Sequence, residues 1–218
     1  MSETIDQLLA QAKTARREDR LDDARRDLLD AVILARAGSD RADLARAVTE
    51  LGRIERDMLN REEACGYYGE AARMYRDQGD MLKCAHSIRH CGDIFAERCR
   101  MDDAERCYHE AVAMYRADPH APPLDVANAL RPLALLKHDA GKSDEADPLW
   151  QEAKSLYASV NVLPGVAECA ARQALLARRA ENVERARQML AEATAAAEAS
   201  GEYNSIRYVN EVKTWIAG

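Results

Sequence analysis

The chain has 218 residues; 47 % are apolar but only 5 % aromatic, and 32 % are charged with both signs interleaved. A formal net charge of −7 argues against a dedicated nucleic-acid binder, whose phosphate contacts need a net basic face. No apolar run reaches the ~18–20 residues of a membrane-spanning helix, and this composition offers few strand formers while suiting amphipathic helices packed through small residues.

At the N-terminus, MSETIDQLLAQAK has neither the basic start nor the continuous apolar core of an export signal. The cytoplasm is therefore the expected address. The six cysteines (65, 84, 91, 99, 107 and 169) form no CxxC pair and read as reduced, small core residues.

Along the sequence one phrase recurs five times: LDDARRDLLDAVILAR (21–36), REEACGYYGEAARMYR (61–76), MDDAERCYHEAVAMYR (101–116), SDEADPLWQEAKSLYA (143–158) and NVERARQMLAEATAAA (182–197). The first alanine of each copy is Ala24, Ala64, Ala104, Ala146 and Ala186, at spacings of 40, 40, 42 and 40 residues. Four positions on stands a large residue (Leu28, Tyr68, Tyr108, Trp150, Leu190), and seven positions on an alanine again (Ala31, Ala71, Ala111, Ala153, Ala193). Small, large, small at i, i+4, i+7 forms one helical face on which a second helix can pack closely. Twelve residues upstream of each first alanine lies another small residue: Ala12, Gly52, Gly92, Ala134 and Ala174. Each unit is thus expected to be helix A, tight turn, helix B. The turns fall at REDR, LNRE, CRMD, AGKS and AENV, and the breakers between units at GSD (38–40), QGD (78–80), ADPHAPP (117–123) and Pro164-Gly165. The units run over about 3–38, 40–79, 80–118, 122–160 and 163–200. A final amphipathic stretch at about 203–216, with Tyr208, Val212, Trp215 and Ile216 on one face, reads as a capping helix.

Small–large–small spacing in paired helices resembles the tetratricopeptide repeat (TPR) family, and the 40–42-residue unit is similar to the long variant of kinesin light chains. The resemblance implies a single all-α domain over residues 1–218, a right-handed α-solenoid of five helix pairs plus cap, whose A helices line a concave groove. It also implies a non-catalytic protein- or peptide-binding module: an adaptor, scaffold or regulator. Some TPR domains hold the C-terminal carboxylate of a partner protein through Lys and Asn at set groove positions. The first frame here reads Leu9, Lys13, Glu50, His86, His90, and neither it nor the two later frames reproduces that pattern. The Asn ladder of the kinesin light-chain type is replaced by Arg131-Pro132, and Pro132 is expected to kink its helix.

The polar faces of the A helices supply the candidate binding residues: Arg46, Thr49, Arg53 and, beside them, Arg56 in unit 2; His86, Arg89, His90 and Asp93 in unit 3; Asn128, Arg131 and His138 in unit 4. A groove with this basic, histidine-containing centre suits an acidic segment or the C-terminus of a partner protein, bound more tightly near pH 6 than pH 8 if His86 and His90 gain charge. The same residues also fit an ordinary solvated helix face. Self-association into a homodimer is the alternative within the binding class. An enzyme is a different class: His86, His90 and Asp93 have metal-ligand spacing, but Ser87 stands where an HExxH motif needs Glu. No nucleophile–base pair, Walker loop or dinucleotide fingerprint is present, so neither cofactor nor metal is expected. The tyrosines at 67, 68, 75, 108 and 115 fall on helix B, mostly at repeat-equivalent positions such as Tyr75, Tyr115 and Tyr157, and read as helix-packing residues rather than a base-stacking platform.

Overall fold

Alanine-rich stretches with apolar residues at three- and four-residue spacing wind into helices wherever the repeat places them. The structure is a computed structural model that describes residues 2–38 and 41–217, so Ser39 and Asp40 of the expected 38–40 boundary lie outside the described residues. Among these are eleven helices and no strand: α1 (Ser2–Arg17), α2 (Leu21–Ala37), α3 (Arg41–Asp57), α4 (Arg61–Asp77), α5 (Met81–Glu97), α6 (Met101–Ala117), α7 (Pro123–Asp139), α8 (Ser143–Ser159), α9 (Leu163–Arg179), α10 (Val183–Ser200) and α11 (Tyr203–Ala217). Helix α7 runs through Pro132 as one element.

The protein forms two compact units, residues 1–117 and 118–218, divided at the proline-rich stretch that the sequence marks as a breaker. In the first, α1 pairs with α2, α3 with α4 and α5 with α6, and successive pairs stack through α2 on α3 and α4 on α5. In the second, α7 pairs with α8 and α9 with α10, α8 stacks on α9, and α11 covers α9 and α10.

The A-to-B turns share one backbone device. Asp19, Leu59, Cys99, Gly141 and Glu181 all have positive φ, between 56° and 75° with Asn161 of a later turn included. The amide of the following residue reaches back to the helix: Arg20 to the Ala15 carbonyl (2.9 Å), Asn60 to Glu55 (2.8 Å), Arg100 to Phe95 (2.9 Å), Lys142 to Lys137 (2.9 Å) and Asn182 to Ala177 (2.9 Å). This is the six-to-one bond of a Schellman ending, which satisfies carbonyls left open at the helix C-terminus. Next in each turn, helix B begins at a repeat-equivalent position.

The core follows the repeat. Both alanine sets are buried in all five copies, as are Leu28, Tyr68, Tyr108 and Trp150. Burying each of these large side chains contributes roughly 2–3 kcal/mol. Only Leu190, in the last copy, is half-buried; it packs on the edge of the cluster around Val209 and Val212 of α11. The upstream small residue matters because the ring of helix B lies against it. A methyl group at Gly92 would sit 2.8 Å from Tyr108 Cε1, whereas one at Gly66 or Gly69 would meet nothing within 4 Å.

One predicted face is corrected. In α11 the buried residues are Val209 and Val212, flanked by partly buried Ile206, Tyr208 and Ile216, while Trp215 is 61 % exposed. Tyr208, Val212 and Ile216 of the expected stripe pack on the core together with Ile206 and Val209, and the Trp215 indole alone falls outside it, toward solvent.

Candidate functional site

Helices α1, α3 and α5 are the A helices of the first unit, and their polar faces enclose a cavity of about 480 Å³. Asp6, Leu9 and Lys13 line it from α1, and Arg46, Thr49, Glu50 and Arg53 from α3. Tyr75 closes it from α4, and Lys83 and His86 from α5. The candidates Arg46, Thr49, Arg53 and His86 are therefore brought together. Asp6, Leu9, Lys13, Glu50, Tyr75 and Lys83 were not among them. A signal for three of these existed: subtracting the 40-residue period from Arg46, Thr49 and Arg53 lands on Asp6, Leu9 and Lys13.

Four cations and two carboxylates line this space, and most of the cations are already engaged. Arg46 bonds Asp6 (2.9 Å) and the buried Asp43 (3.0 Å), Arg53 lies 3.4 Å from Glu50, and Lys83 bonds Asp80 (2.6 Å). Lys13 has no ion-pair partner among the described residues. Thr49 is buried; its hydroxyl donates to the Ala45 carbonyl (2.7 Å) and lies 3.3 Å from the Tyr75 hydroxyl. It therefore supports the floor of the cavity and offers little to a ligand.

Beside the cavity, His86, Arg89, His90 and Asp93 form a closed network. Asp93 accepts from Arg89 (2.8 Å), Arg56 (3.2 Å) and the Tyr108 hydroxyl (3.0 Å), and its Oδ2 lies 3.2 Å from His90 Nδ1. His90 Nε2 is 2.8 Å from Arg89 Nη2 and 3.2 Å from His86 Nε2, and the His90 ring stacks on Tyr68 at 4.8 Å. With its proton on Nδ1, His90 donates to Asp93 and accepts at Nε2; the Arg56 guanidinium, which can only donate, also lies 3.3 Å from Nδ1. Burial would raise the Asp93 carboxyl, but the His90 hydrogen bond and the Arg89 and Arg56 charges outweigh it and hold the group below the usual carboxylate range. Burial first, then His90, Arg89 and Arg53, push His86 down to about 3. Burial also lowers His90, with Asp93 opposing and Arg89 assisting. His86 is thus neutral near pH 6, and burial also works against protonating His90, which runs against the expectation that both would gain charge there. The reason is a buried site already carrying arginines, where a further positive charge is unfavourable.

In the second unit, Asn128 of α7 accepts from the Tyr157 hydroxyl (2.8 Å) and Arg131 bonds Glu168 of α9 (2.7 Å). Burial acts to lower the Arg131 pKa, and Glu168 overcomes it. His138 is buried, and burial followed by the charges of Arg179 and Arg172 keeps it below its ordinary value. Asn128 and Arg131 are thus engaged with Tyr157 and Glu168, and His138 is buried. A smaller cavity of about 280 Å³ lies between α9 and α11, where Arg172 sits 5.3 Å from the Tyr208 ring centre. Among the described residues, no group of three or more His, Cys, Asp or Glu is arranged to hold a metal, and no helix is long and apolar enough to cross a membrane.

Helical pairs of 40-residue period with small–large–small interfaces have counterparts among solved structures. BtubC (BKLC) from P. vanneervenii superposes with a TM-score of 0.79 at 16 % identity, over 91 % of this chain and 82 % of that one. The fold is a TPR-type helical repeat. Aspartyl phosphate phosphatase F from Bacillus subtilis matches with a TM-score of 0.76 at 13 % identity, over 98 % of this chain but only 54 % of that one. MamA matches with a TM-score of 0.65 at 16 % identity, over 93 % of this chain and 97 % of that one. No protein-family model matches the sequence, and neither does any curated protein. At these identities the likeness is one of TPR-type architecture and extends to the fold alone.

Proposed function

We propose that the protein is a non-catalytic binding module and that its first unit takes an acidic, extended peptide segment into the cavity between α1, α3 and α5. The observation that carries this reading is Lys13. It faces the cavity without a carboxylate partner among the described residues, opposite Arg53, whose Glu50 contact is a single long one. Leu9 and Tyr75 add apolar surface to the same cavity, which suits a peptide carrying carboxylates around an apolar side chain. The binding surface is narrower than the residue types alone imply: Arg89, His90 and Asp93 hold the wall, and Lys13, Arg53, Arg46 and Lys83 meet the ligand.

The test is fluorescence anisotropy with a labelled hexaglutamate peptide at low ionic strength. Lys13→Glu and Arg53→Glu are each expected to weaken binding about tenfold, with Arg26→Glu on α2 leaving it unchanged and circular dichroism showing all three folded. Equal binding by all forms would place the ligand elsewhere. A second reading, self-association, is favoured by the exposure of Trp215 and Tyr203 on α11. Light scattering that shows a dimer lost in Trp215→Ser would support it.

A further inference from the structure

Three cysteines meet on the side of the first unit that the cavity does not use. Cys65 of α4, Cys91 of α5 and Cys107 of α6 pack around Ala64, Tyr68 and Ile94. Cys91 is buried, while Cys65 and Cys107 are half-buried. The Cys91 thiol lies 3.8 Å from the Cys65 carbonyl oxygen. Two cysteines on neighbouring helices therefore abut within one packed cluster, with Arg98 and Arg100 of the following turn acting on the Cys65 side.

We propose that Cys65 and Cys91 are an oxidisable thiol pair that a hydroperoxide converts into a disulfide between α4 and α5. The Cys65 thiolate attacks one peroxide oxygen, and the O–O bond breaks. The leaving hydroxide or alkoxide takes a proton, and Cys65 becomes a sulfenic acid. The Cys91 thiol then gives up its proton as its sulfur attacks the sulfenic sulfur. The S–O bond breaks and hydroxide leaves as water. Two thiols are oxidised by two electrons, and one hydroperoxide is reduced to water and water or an alcohol.

The assignment of roles follows from the surroundings. The Cys91 hydrogen bond lowers the Cys65 pKa against the effect of burial, and Arg100 and Arg98 add to it. This makes Cys65 the attacking group. Cys91 is raised by its contact with Cys65 and by burial, which suits a resolving thiol that stays protonated until the sulfenic acid forms. Burial and Glu110 push Cys107 up to about 11, so it competes poorly for the peroxide. The bond would tie helix B of the second pair to α5, the helix that carries Lys83 and His86 to the cavity.

The test is peptide mapping by mass spectrometry, without reduction, after the reduced full-length protein is treated with stoichiometric hydrogen peroxide. The expected product is a Cys65–Cys91 linked peptide that disappears on adding dithiothreitol and that forms unchanged in Cys107→Ser and Cys99→Ser. In Cys91→Ser, Cys65 is expected to stop at the sulfenic acid, trapped by dimedone, at several-fold the yield found on the exposed Cys99. The proposal is overturned if wild type links Cys65 to Cys107 instead, or if Cys65 is oxidised no faster than Cys99. The wild-type map decides even if a variant fails to fold.

Discussion

At the scale of single residues, the charge of the polar helix faces is governed by what each long side chain has already found within the protein. Arg46, Arg53, Arg89 and Arg131 all pair with carboxylates, so a sequence rich in arginine does not present a correspondingly basic surface. The histidines show the same point for protonation. Unfolded, His86 takes its proton near the ordinary 6.5; folded, it does so near 3. Between those values the unfolded state binds more protons, so folding stability falls as pH drops below about 6.5 and keeps falling to about 3. Asp93, whose folded value is also lowered, adds a loss through the carboxylate range. The expected slope from His86 is on the order of 1 kcal/mol per pH unit between pH 6 and 4. Urea unfolding at pH 7 and pH 5 checks it: wild type should lose more stability than His86→Asn, and equal losses would mean that His86 titrates normally. Acidic-peptide affinity should stay flat from pH 8 to pH 6, since His86, the histidine that lines the cavity, keeps its neutral form there.

At the scale of elements, the contact between helices A and B is set by a small residue facing a large one. Gly92 lies against the Tyr108 ring so closely that a methyl group has no room, while Gly66 and Gly69 on α4 face open space. These glycines make opposite predictions. Gly92→Ala should cost about 1–3 kcal/mol, because the ring must shift and the Tyr108–Asp93 hydrogen bond with it. Gly69→Ala should gain up to about 1 kcal/mol by restoring helix propensity without a clash. Denaturant midpoints of the two variants beside wild type check both signs. The ties between pairs are polar as well as apolar: buried Glu55 accepts from Arg25 (2.6 Å) and Asn60 (2.7 Å), linking α2 to α3, and Lys154 bonds Glu192 (2.7 Å), linking α8 to α10.

At the scale of the whole molecule, each of the two units has its own helix pairs and its own buried alanines and aromatics. Repeat proteins are stabilised mainly by each unit and its nearest neighbours, and about three repeats suffice for a stable stack. The fragment 1–117 contains three pairs and every residue that lines the cavity between α1, α3 and α5. It is expected to unfold cooperatively by circular dichroism and to bind hexaglutamate within about threefold of the full-length protein. A fragment that folds but does not bind would show that the second unit supplies part of the binding surface.

The 40-residue spacing, the small–large–small faces, the A-to-B turns and the eleventh helix were all legible in the sequence, because each rests on local periodicity or on breakers within one or two helical turns. The same periodicity brought Arg46, Thr49, Arg53 and His86 onto one face. It could not say that Thr49 would be buried, that His86 would be held neutral and His90 lowered by burial, that Trp215 would face solvent, or that Lys13 would have no ion-pair partner among the described residues. Those outcomes depend on side chains from helices about 40 residues apart and on how much water their packing leaves around each charge, and only the tertiary structure decides that.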